Sequence, residues 1–184
     1  MDTFQYVEPC EVNIHVHSTQ FAKILLSAAS ETDTVLKRLC STMDDSSVAR
    51  CEQGYRNELV LRHGLAFSDA KVRTMRYGLE IRPWQNWSVH DPKTPRWWTA
   101  YNKVKHHLDT NYRDANLRNA FRALSGLFVA LVFFYQKAGV VRLDPAPRLL
   151  TIDGGVETRR DIMIETAGAV LTIKDNLPKH LRYD

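Results

Sequence analysis

Apolar and polar positions alternate at helical spacing over much of the chain. Between residues 19 and 41, Phe21, Leu25, Ala28, Thr32, Val35 and Leu39 recur three or four residues apart. That spacing puts them on one face of an α-helix. Ser18 precedes the run and suits its N-cap. A second helix is predicted over about 48–63, with Gly64 as its stop. A third is predicted over about 68–77, opening at Ser68, ending at Gly78 and basic along its length. The stretch GLEIRPWQNWSVHDPKTP is too rich in Pro and Trp to form one regular element. Pro95 then fits the first turn of a helix over about 95–108, and Asp114 fits the cap of a long helix running to about residue 138. Val12, Ile14 and Val16 alternate, as in an extended segment, and RLLTID and AVLTIK read as short β runs. The pattern predicts a mainly α bundle of four to five helices with short β or irregular N- and C-terminal segments. One domain is expected over 1–184, with a helical core at about 18–138 and a C-terminal extension at 139–184.

Composition changes this picture little. The chain has 184 residues, 44% of them hydrophobic, enough for one full core. Its net charge of +4 is unevenly spread. Residues 1–34 hold five acids against Lys23, whereas residues 71–105 hold eight Lys or Arg against Glu80 and Asp91. A basic middle points to an anionic partner or to a solvated surface. Three cysteines, an odd number without metal spacing, fit a reducing cytoplasm rather than a disulfide framework. His15 and His17 with Cys10 lack a matching second pair, so neither metal nor cofactor is expected. The N-terminus does not read as a signal peptide. The strongly apolar run at 127–135 falls short of the roughly 20 residues of a membrane span, so a buried core helix and no membrane partner are expected.

Candidate chemistry gathers in TPRWWTAYNKVKHH. On a helix, Trp97, Tyr101, Val104 and Leu108 form a core stripe, flanked by Trp98, Asn102 and His106. Asn102 and His106 stand one turn apart, and Lys105 lies near Tyr101. A histidine moves a proton near neutral pH, an amide orients it, and a lysine stabilises phosphoryl charge. The same pair also suits a structural role, bonding the RPWQNW loop. Glu31 sits among Ile24, Ala28 and Val35, where a carboxylate wants a partner. It either tunes His106 or pairs with an arginine. Trp84 and Trp87 either stack on bases or pack over a bundle end, with packing the favoured reading. Arg118, Arg122 and Ser125 make one stripe that faces either a phosphate-bearing partner or water.

Three pieces of sequence resemble the HEPN superfamily, and in particular bacterial HEPN-like proteins of the abortive-infection type. They are SETDTVLK at 30–37, PRWWTAYNKVKH at 95–106 and ANLRNAFRALSGLFVALVFFY at 115–135. The resemblance implies a helical bundle that dimerises and cuts RNA without metal, in phage defence or a toxin–antitoxin pair. It places His106 at the catalytic histidine and Asn102 at the polar position beside the catalytic arginine. Tyr101 stands where the shortest-spaced arginine would be, and Leu108 stands at another usual arginine position. Lys105, Lys103 and Arg113 are the candidate replacement cations, with Tyr101, Lys103, Arg113 and Arg118 expected to contact substrate. The alternative is a catalytically inactive HEPN-like module that binds RNA, a nucleotide or a protein partner such as an antitoxin.

Overall fold

Local sequence signals set the longest helices. Helix α1 spans Thr19–Met43, and the Ser18 side chain accepts a hydrogen bond from the Phe21 N–H at 3.1 Å. All six residues of its expected apolar face are buried. Helix α2 covers Glu52–His63 and stops at Gly64, whose φ of 54° is a conformation that glycine adopts cheaply. It starts later than the predicted residue 48. Helix α3, Leu65–Ser68, follows at once. The structure, a computed structural model, describes residues 7–74, 76–88, 91–137 and 149–153, with the backbone of 164–165 and 168–169.

The basic helix expected over 68–77 is instead a β-hairpin. Strand β1 (Lys71–Thr74) pairs antiparallel with β2 (Glu80–Ile81), and Gly78 turns between them at φ 63°. A third strand, β3 (Leu150–Asp153), pairs with β1 on its other edge, in the order β2-β1-β3. Val72 and Thr74 point into the core and Arg73 points out, a two-residue period that outweighs the local helical reading. Glu80 lies 3.4 Å from Lys71, 3.6 Å from Arg73 and 3.7 Å from Arg82, so one acid serves three of the eight cations of the basic middle.

The Pro/Trp loop is a plug. Trp84 and Trp87 are fully buried around a short 3-10 turn at Gln85–Trp87. The three most deeply buried indoles each have an acceptor for their N–H. Trp84 donates to the Gly126 carbonyl at 3.2 Å, Trp87 to Glu52 at 2.6 Å and Trp97 to the Pro83 carbonyl at 2.9 Å. Burial without those bonds would cost about 1–3 kcal/mol each. The loop therefore packs over the bundle, and the base-stacking reading of Trp84 and Trp87 is excluded.

Helix α4 runs Arg96–His106, with Pro95 at its N-cap position. It ends two residues early, and a separate short helix α5, Leu108–Asn111, follows. Leu108 therefore leaves the core stripe and is 43% exposed. Helix α6 spans Leu117–Lys137. Its cap is Asn116 rather than Asp114, because the Asn116 Oδ1 accepts from the Asn119 N–H at 3.0 Å. By length and composition, α6 is the one helix among the described residues able to cross a membrane, yet 56% of its most apolar window is buried inside the fold. It packs along α1, with α4 against both.

The expected N-terminal strand is mostly irregular. A 3-10 turn occupies Glu11–Asn13, Val12 is exposed, and only His17 bridges Asn116. The short segments Ile164–Glu165 (β4) and Gly168–Ala169 (β5) pair antiparallel, and most of AVLTIK lies outside the described residues. The architecture is mainly α: six helices and a small sheet among the described residues.

Candidate anion-binding site

The expected catalytic group does not assemble within one chain. Glu31, Asn102 and His106 are all exposed. Among the described residues, no hydrogen bond or ion pair joins any two of them, and none holds Glu31 to an arginine. Glu31 thus tunes nothing visible here; its helical position faces water beside the buried Thr32 and Ala28. His106 does not bond the RPWQNW loop either: its side chain is exposed, and the loop's indoles bond backbone and carboxylate acceptors instead. Tyr101 is 8% exposed and packs edge-on to Trp98, which corrects its expected role in substrate contact. Lys105 lies over the Tyr101 ring, 5.4 Å from its centre. Arg113 is exposed, and its carbonyl accepts from the Asn116 amide at 2.9 Å.

A different set of side chains does converge. A pocket of about 380 Å³ opens between α4, the start of α6 and the N-terminal segment. Arg96 and Lys103 reach it from α4, Arg118 and Arg122 from α6, and His15 from the N-terminal segment. The one acid lining it is Asp114, 3.6 Å from the Lys103 Nζ. Of the substrate-contacting residues expected from sequence, Lys103 and Arg118 belong here.

The order of these elements follows from capping. The Leu117 N–H donates to the Val16 carbonyl at 2.9 Å and the Arg118 N–H to the Ile14 carbonyl at 3.1 Å. With Asn116 capping Asn119, the first amides of α6 are already used. The same bonds lay His15 along the pocket rim. Asn119 donates its side-chain amide to the Asp114 carbonyl at 2.9 Å, which fixes the turn that carries the acid. Charge in this pocket is therefore presented by side chains, not by the helix terminus.

Electrostatically the pocket is under-compensated. Among the described residues, the side chains of Arg96, Arg118 and Arg122 make no hydrogen bond or ion pair. Arg122 is half-buried, and burial, followed by the like charges of Arg118 and Arg96, pulls its pKa below the ordinary arginine value. A guanidinium keeps its proton regardless, so the direction marks an unfavourably placed cation. An anion bound there would relieve both contributions.

Arg118 and Arg122 were legible as a stripe by their spacing of four. Ser125, taken with them, is fully buried. Arg96, His15 and Asp114 were missed at this place, since only the packing of α4 and of the N-terminal segment against the start of α6 brings them in. Among the described residues no cluster of three metal-ligating side chains occurs. No family model, no curated protein and no solved structure matches this chain.

Proposed function

We propose that this chain is a HEPN-like helical module that binds the phosphates of RNA or a nucleotide without cutting them. One observation carries the reading: four cations, including the half-buried and unpaired Arg122, line one pocket against a single carboxylate. Guanidinium groups match phosphate oxygens in bidentate geometry, and desolvation strengthens the pairing. The pairing of α1 with α6 and the burial of the Trp-Trp helix α4 support the HEPN-like comparison, while buried Tyr101 at an expected arginine position favours the non-cutting form.

Titration of a labelled single-stranded RNA by fluorescence anisotropy, repeated at several salt concentrations, tests this. Each phosphate neutralised contributes a slope of about −0.7 in log K against log salt. The expected result is a slope of about −2 to −3 for the wild type, made shallower by Arg122→Ala and again by Arg118→Ala. Binding without salt dependence, or unchanged in the double variant, would sink the proposal.

A second reading rests on the solvent access of His106 beside the exposed Lys105. In that reading a homodimer completes a metal-independent endonuclease, since one chain does not gather Glu31, Asn102 and His106. RNA cleavage in EDTA that disappears in His106→Ala would favour it over simple binding.

A further inference from the structure

The pocket contains a group that a simple phosphate site does not need. Asp114 places a carboxylate among Arg96, Lys103, Arg118 and Arg122, where it weakens the attraction for any bare anion. Its own pairing is loose: 3.6 Å to Lys103, with both side chains more than a third exposed. Such a pair adds little to stability. The fold does not need the carboxylate to hold the turn either, because Asn119 bonds the Asp114 main-chain carbonyl. An acceptor of this kind, beside a phosphate site, suits ligand hydroxyl groups. A carboxylate takes two such donors, as it does in binding a ribose diol.

The lining also lacks a stacking platform. No Trp, Tyr or Phe contributes to it, and His15 is its one ring. Base recognition by side chains generally uses aromatic faces, which here are buried in the tryptophan cluster. A volume of about 380 Å³ is at the low end for small-molecule sites and suits a sugar phosphate.

Resting on the phosphate-binding reading above, we infer that the pocket recognises a phosphorylated ribose, its phosphate held by Arg96, Arg118 and Arg122 and its hydroxyls by Asp114, without regard to the base. The shared chemistry is found in a free sugar phosphate and in a ribonucleotide of RNA.

Calorimetric titration of the full chain with inorganic phosphate, ribose 5-phosphate, AMP and 2′-deoxy-AMP tests this. The expected result is similar binding of ribose 5-phosphate and AMP, each about tenfold tighter than deoxy-AMP, the loss fitting one hydrogen bond to a charged group. In Asp114→Ala that preference collapses, while inorganic phosphate binds more tightly because a repelling charge is gone. Competition by a short single-stranded RNA assigns the ribose to RNA, and its failure assigns it to the free sugar phosphate; both support the site. Equal binding of AMP and deoxy-AMP by the wild type, with phosphate still bound, overturns the ribose inference and leaves the phosphate site standing. AMP binding far tighter than ribose 5-phosphate overturns the base-blind part. An Asp114→Ala variant that weakens all four ligands alike makes the carboxylate a support for Lys103 and also overturns it. No binding of any ligand overturns the phosphate site itself.

Discussion

His106 and Arg122 show how differently two chemically capable residues are used. His106 is exposed near the end of α4, with its ring 6.5 Å from that of His107 and no bonding partner among the described residues. Arg122 is held half-buried among like charges. Under the binding proposal, His106→Ala leaves RNA affinity within about twofold, a change well below one hydrogen bond, whereas Arg122→Ala lowers it. Anisotropy with both variants separates the two. Cys40 offers a residue-level test of the core. It is fully buried in α1, and burial, then the Glu58 charge, push its thiol up from 9.0 to about 12. The unfolded chain ionises first, so Cys40 contributes stability that is complete below about pH 9 and is lost as pH rises towards about 12. Urea midpoints at pH 8 and pH 10 should fall more for the wild type than for Cys40→Ala. An aromatic disulfide reagent should label Cys10 and Cys51 at pH 8 in the native protein and spare Cys40.

Single elements were legible where their signals were local. Ser18 and the spacing from Phe21 to Leu39 specify α1 within one stretch, and the helix formed there with that cap. Strand β1 was not legible, because its central-strand status depends on β3, where Arg73 stands opposite Thr151, 78 residues on. The switch from Asp114 to Asn116 at the start of α6 had a similar cause, since the N-terminal segment takes the neighbouring amides. Helix α6 also carries a packing constraint that its sequence hides. A Cβ on Gly126 would lie 2.7 Å from the Trp97 ring, which is itself buried and hydrogen-bonded to the Pro83 carbonyl. Gly126→Ala gains about 1 kcal/mol of helix propensity but overpacks a filled site at about 1–3 kcal/mol. A lower urea midpoint is therefore expected. The loop over this site hangs on Glu52, which accepts from Trp87 at 2.6 Å and from Thr94 at 2.9 Å. Glu52→Ala should cost about 2–3 kcal/mol by leaving a buried indole N–H unpaired, with Glu52→Gln milder; denaturation curves rank the two.

At the scale of the whole molecule, the candidate site is a product of assembly rather than of any one motif. The N-terminal segment, α4 and α6 each bring part of it, and of the charged groups in the motif that resembled a nuclease signature only Arg96 and Lys103 line it. A chain lacking residues 1–17 loses His15 and the two carbonyl acceptors at the start of α6. It should melt at a lower temperature, by about 1–2 kcal/mol of stability, and bind RNA more weakly, as thermal unfolding and anisotropy would record. The tryptophans have a consequence of another kind. All four of the chain sit in one cluster, with ring centres 4.3 Å apart for Trp84 and Trp87, 5.1 Å for Trp84 and Trp97, 5.3 Å for Trp97 and Trp98, and 6.1 Å for Trp84 and Trp98. Indoles this close share excitation energy and couple their electronic transitions. The protein's ultraviolet emission is therefore a collective signal, and the part of a circular-dichroism couplet that comes from Trp84 against Trp97 and Trp98 would be lost on lifting the loop from the bundle, while the Trp97–Trp98 pair within α4 would keep its own.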